Sequence, residues 1–141
     1  MKFFFHEEQK ESQELFDRIS AACTGLIYIS EIDSPVTPLA ASGTDGKLPD
    51  VFLQYTGRPP DDSVEEASFN DLFDRLTAKK DWHGERENER TKKFLELRRL
   101  LEEHLTDLIV FRLGRIQIDI FAVGLDKNNV LMGVSTKAVE T

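Results

Sequence analysis

The chain has 141 residues, 40% of them hydrophobic and 31% charged, and 26 acidic against 18 basic side chains give a formal net charge of −8. Those values fit one soluble globular domain, residues 1–141, and exclude a membrane-spanning helix, because no apolar run approaches the required ~18 residues. The acid surplus disfavours direct binding to nucleic acid, and the lone Cys23 excludes an internal disulfide or a Cys-only zinc site.

The opening Phe3-Phe4-Phe5 turns polar at His6-Glu7-Glu8, too soon for a secretion signal. With one free cysteine, a cytoplasmic protein is expected. Residues 7–23 read as an amphipathic helix, with Leu15, Phe16, Ile19 and Ala22/Cys23 at helical spacing. Gly25 suits the left-handed position that ends it. Leu26–Ile29 is a short β-prone run. Pro35, which has no amide proton, must end a strand there or leave it on an edge.

Residues 35–49 are rich in Pro, Ala, Ser, Gly and Thr and read as a mobile loop, and Val51–Tyr55 reads as a second strand. Asp61–Glu66 reads as a solvated acidic run. Ser68 is a good N-cap for a short helix through Thr77 that buries Phe69, Leu72, Phe73 and Leu76. After the polar segment Ala78–Gly84, a long helix is expected over about 87–105, its inner stripe Phe94, Leu97, Leu101 and Leu105 with Leu100 beside it.

The last third is the most apolar stretch. Leu108–Phe111 reads as a strand buried on both faces, and Gly114 permits a tight turn. Ile116, Ile118 and Ile120 alternate with Gln117, Asp119 and Phe121. Asp126–Asn129 has turn chemistry, and a third strand runs over Val130–Val139. The expected fold is therefore α+β, an α/β/α sandwich: one mainly antiparallel sheet covered by helices and closed by a three-stranded meander.

Few residues suggest chemistry. No phosphate-binding loop, nucleophile elbow or His-Glu-x-x-His motif occurs. His6 lies in the N-terminal segment and His104 on the third helix. Asp81, His83 and Glu85 could ligate a metal, although that spacing in a polar loop is a frequent accident. Glu31 and Asp33, as alternate residues of a strand, would share a face. Trp82 alone would suggest a core residue, but its polar neighbours favour exposure and partner binding. The closing Val134–Thr141 is either a frayed last strand or a sheet-held terminus that presents an ionised carboxylate at a fixed place.

In Thr24–Glu31, in Asp81-Trp82, in Phe111–Gly114 and in the closing Val134-Ser-Thr-Lys-Ala-Val-Glu-Thr141, the chain resembles the nuclease A inhibitors. These are small acidic proteins that block a sugar-nonspecific DNA/RNA endonuclease. The resemblance implies an α/β/α sandwich without catalysis and without a cofactor or metal of its own. It implies a monomer when free and a one-to-one complex with a ββα-metal nuclease whose basic cleft carries Mg²⁺ or a similar divalent cation. Residue by residue, it implies that Glu31 approaches that cation through its bound water, that Trp82 packs against the enzyme, and that Thr141 reaches the cation. His83 and Gly84 depart from the pattern, and the resemblance is not carried by residues 35–66. Two other readings stand beside this one: an acidic interaction module with a non-nuclease target, and a metal-dependent hydrolase using Glu31, Asp33 and His83.

Overall fold

A computed structural model describes residues 10–41 and 64–140. Phe3–Phe5, His6, the strand expected at Val51–Tyr55 and Thr141 all lie outside those residues. The described elements run α1 (Lys10–Cys23), β1 (Ile27–Ile29), β2 (Asp33–Pro35), β3 (Thr37–Ala41), β4 (Val64–Ala67), α2 (Phe69–Thr77), α3 (Glu85–His104), β5 (Thr106–Leu113), β6 (Gln117–Leu125) and β7 (Leu131–Val139). Five strands form an antiparallel sheet in the order β3-β7-β6-β5-β4, and β1 and β2 make a separate antiparallel ribbon.

The meander β5-β6-β7 is the centre of the sheet, as its apolar alternation predicts. Ile118, Ile120 and Ala122 of β6 face the same side as Met132, Val134 and Ala138 of β7. Against that face pack Leu15, Ile19 and Cys23 of α1, Phe69 and Phe73 of α2, and Phe94, Leu97, Leu100 and Leu101 of α3. The opposite face carries a second buried cluster, Leu39, Phe111, Leu113, Val123 and Leu131. Both faces of the sheet are thus apolar, and the described helices cover the first of them in an α+β arrangement.

Local signals end the elements where the sequence places them. Gly25 takes φ 72° after α1, and Gly114 takes φ 108° after β5. A side chain at Gly114 would collide with the Gln117 carbonyl, its Cβ coming within 2.1 Å. Ser68 caps α2, its hydroxyl accepting from the Asp71 amide at 3.1 Å. The start of α3 lacks a capping side chain at Gly84, and the Glu87 carboxylate instead accepts from the Gly84 amide at 3.1 Å.

Three expectations need correction. Within the expected loop 35–49, Thr37–Ala41 is an edge strand paired with Leu131–Ser135 of β7. Pro38 is tolerated there because an edge strand has one side without ladder bonds. Within the expected solvated run, Val64–Ala67 pairs with Val110–Leu113 of β5 as the other edge. Glu65 and Glu66 stay exposed while their backbone completes the ladder. Ile116 belongs to the turn rather than to β6, and it is exposed.

One buried polar network joins α1 to the β6–β7 turn. The Asp126 carboxylate accepts from the Ser12 hydroxyl at 2.5 Å and from the amides of Asn128 at 2.8 Å and Val130 at 3.0 Å. Both Ser12 and Asp126 are buried. Asn129 adopts φ 61° in the same turn, a conformation that asparagine tolerates. Asp126→Ala leaves the buried Ser12 hydroxyl and Val130 amide without this acceptor and is expected to cost about 3 kcal/mol, measurable by chemical denaturation.

Cys23 is buried in the helix–sheet core, and loss of solvation there pushes its thiol up to about 12. The neutral thiol is the form the fold favours. Its contribution to stability is full below the pKa of the unfolded thiol and is lost as pH rises towards 12. We expect a thiol reagent to label the folded protein at pH 8 far more slowly than the urea-unfolded chain. Equal rates would place Cys23 at the surface.

Candidate functional site

The candidate site is one end of the sheet, where the β1–β2 hairpin meets the last residues of β7. β3 covers the outer edge of β7 only as far as Ser135. Beyond that point the β7 edge would be left with unmet backbone groups, and the hairpin takes over. The Thr136 hydroxyl donates to the Pro35 carbonyl at 3.0 Å, so the residue without an amide proton contributes its acceptor instead. The Val139 amide donates to the Ser30 hydroxyl oxygen at 3.0 Å, and the Glu31 amide donates to the Val139 carbonyl at 3.4 Å.

Glu31 is thereby fixed beside the end of β7. It occupies the hairpin turn rather than a strand, because β1 ends at Ile29 and β2 begins at Asp33. Ile29 pairs directly with Asp33, so the shared strand face expected for Glu31 and Asp33 does not exist. The turn is closed by the Ser30 amide, which donates to the Ile32 carbonyl at 2.9 Å. Glu31 is solvent-exposed, and so are Ile29 and Ile32 on either side of it.

A second turn carries Trp82, the most exposed large apolar side chain described, at 71%. It sits between α2 and α3 at the tip of a turn closed twice by Lys80 and His83. The His83 amide donates to the Lys80 carbonyl at 3.0 Å, and the Lys80 amide donates to His83 Nδ1 at 3.4 Å. The His83 ring stands edge-on to the indole, with centroids 4.4 Å apart. His83 therefore supports Trp82 and closes its turn, and one ring nitrogen is already occupied. Among the described residues no three His, Cys, Asp or Glu side chains converge as metal ligands, so Asp81, His83 and Glu85 do not make the metal cluster their spacing allowed.

The helix hairpin is tied to the β1–β2 hairpin through Arg75 in the last turn of α2, which donates to the buried Tyr28 hydroxyl at 3.1 Å. Tyr28 lies three residues before Glu31, and Arg75 seven before Trp82. His104 stands apart at the end of α3, in contact with Arg18 at 3.1 Å and Glu103 at 3.9 Å.

Two contributors escaped the sequence reading. Ser30 links the hairpin to β7, and Ile116 adds an exposed apolar side chain whose carbonyl accepts from the Glu140 amide at 3.0 Å. A serine before a glutamate in a turn carries no signal of the strand edge it will meet. The end of the sheet thus presents exposed acidic side chains, Glu31 and Asp33 of the hairpin and Glu140 after β7, together with the exposed Ile29, Ile32 and Ile116. Exposed apolar side chains grouped in this way can bury surface against another molecule.

A family model described as nuclease A inhibitor-like protein matches residues 13–141. No curated protein matches the chain. The family match takes in the Ser30–Ile32 turn, the Trp82 turn and the whole meander. The chain belongs to the family of nuclease A inhibitor-like proteins.

Proposed function

We propose that this protein, without catalysis of its own, is an inhibitor that binds one-to-one and plugs the metal-containing active site of a nonspecific DNA/RNA nuclease. The observation that carries the reading is the attachment of the Glu31 turn to the end of β7 through Ser30 and Val139. That attachment brings the Glu31 turn beside Val139 at the end of β7.

The chemistry suits the target. A nuclease Mg²⁺ takes oxygen ligands and keeps open positions for water and phosphate. In the proposed complex Glu31 approaches the cation through its bound water, Thr141 reaches the cation, and Trp82 packs against the enzyme surface. The partner is proposed to be of the ββα-metal type. The net charge of −8 would draw the inhibitor to a cleft shaped for a polyanion and raise the association rate.

The test is titration of purified Mg²⁺-dependent nonspecific nucleases with the protein, with activity read against molar ratio. Loss of activity that saturates at one equivalent is expected, and undiminished activity across the panel would overturn the reading. Glu31→Gln keeps size and removes charge. It should weaken inhibition while changing stability by no more than about 0.5 kcal/mol, as for other exposed positions. Trp82→Ala should leave the melting temperature nearly unchanged and weaken the complex by roughly 2 kcal/mol or more.

In the proposed complex, bulk added beyond Thr141 obstructs a phosphate-sized cleft. A C-terminal tag should therefore weaken inhibition strongly, whereas a tag before Met1 should not. Full inhibition by the C-terminally tagged chain would remove Thr141 from the mechanism.

A further inference from the structure

Glu140, the last described residue, is held at two points although it lies beyond the strand. Its amide donates to the Ile116 carbonyl at 3.0 Å, and its carboxylate is paired with the Arg112 guanidinium. Arg112 projects from β5 on the helix-bearing face, opposite Ile120 of β6 and Glu65 of β4. Its side chain is 21% exposed against 46% for Glu140, so the guanidinium is the more buried member of the pair. Arg75 and Asp71 of α2 line the same cleft. Arg75 is engaged by the Tyr28 hydroxyl.

The β5–β6 and β6–β7 ladders are completed by main-chain pairing. A partly exposed ion pair adds little to stability. Terminal residues ordinarily fray unless they are tied down. Here the last ties are a main-chain bond to one turn and an ion pair reaching across from β5. Together with the Ser30 and Glu31 bonds to Val139, they grip Val139 and Glu140 from both sides.

We propose that Arg112 is a positioning residue for inhibition. It directs the chain leaving β7, so that the Glu31 turn and the residues after Val139 meet the nuclease as one preorganised unit. This rests on the inhibitory reading above. Preorganisation acts by removing ordering costs that binding would otherwise have to meet. Loss of Arg112 therefore weakens the complex without weakening the fold.

The experiment uses the full chain labelled with ¹⁵N and a Mg²⁺-dependent nonspecific nuclease that the wild-type protein inhibits. Arg112→Ala should leave the melting temperature unchanged, lower the heteronuclear NOE of the Glu140 amide, and raise the inhibition constant about tenfold. Arg112→Lys should recover part of both losses. The charge-swapped pair R112E/E140R should inhibit better than R112E alone. A Glu140 amide as ordered in Arg112→Ala as in wild type overturns the proposal, and so does undiminished inhibition by that variant. Failure of the wild-type protein to inhibit any nuclease would instead overturn the inhibitory reading itself, so the two failures are told apart.

Discussion

The far half of the β7 edge is the constraint on which the site depends. A strand in the interior of a sheet must satisfy its backbone on both sides, and β6 serves one side of β7 along its whole length. On the other side β3 stops at Ser135, because the chain entering β3 comes from Pro35 and Val36. Beyond it the hairpin meets the end of the strand: the Val139 amide donates to the Ser30 hydroxyl oxygen and the Glu31 amide donates to the Val139 carbonyl, while the Thr136 side chain ties the Pro35 carbonyl to β7. A completed β-ladder would have buried this edge under another strand. The irregular closure leaves a hairpin tip projecting past the sheet, with an acidic residue at its point.

That arrangement separates the parts that fold the protein from the parts that face outward. Tyr28, Leu26 and Val36 anchor the ribbon in the helix-side core, while Ile29, Glu31 and Ile32 of the same segment are exposed. Likewise Phe73 and Phe94 close the α2–α3 hairpin, whereas Trp82 stands out from its turn. The exposed indole has the His83 ring edge-on against it, a contact that restricts its rotation and would limit the entropy lost on association. In the proposed complex, this acidic tip beside apolar side chains would meet a cleft that is both basic and metal-bearing.

The sequence reveals the repetitive parts of this fold and conceals the parts created by tertiary pairing. Alternation in Ile118–Ala122, the stripe Phe94–Leu97–Leu101 and the cap Ser68 each arise from local periodicity or local hydrogen bonding, and each appears where expected. Thr37–Ala41 and Val64–Ala67 do not, since a Pro-containing segment and an acidic one become strands only because β7 and β5 offer them edges. The Ser12–Asp126 bond joins positions 114 residues apart and has no local signature. At the site, exposure of Trp82 was legible from its polar neighbours. Placement of Glu31 beside Val139 was not, because it requires knowing which strand edge the hairpin covers. Likewise, the spacing of Asp81, His83 and Glu85 suggested a metal site where the structure forms a turn that supports the indole.

The most direct test of the account replaces Mg²⁺ in a target nuclease with paramagnetic Mn²⁺ and observes the ¹⁵N-labelled inhibitor in the complex. Comparison of the Mn²⁺ and Mg²⁺ complexes isolates the broadening caused by proximity to the catalytic cation. The account predicts that Glu31, Val139 and Glu140 lose their amide signals selectively, while Lys127–Asn129, at the opposite end of the sheet, keep theirs. Strong broadening at Lys127–Asn129 with Glu31 and Glu140 unaffected would contradict it.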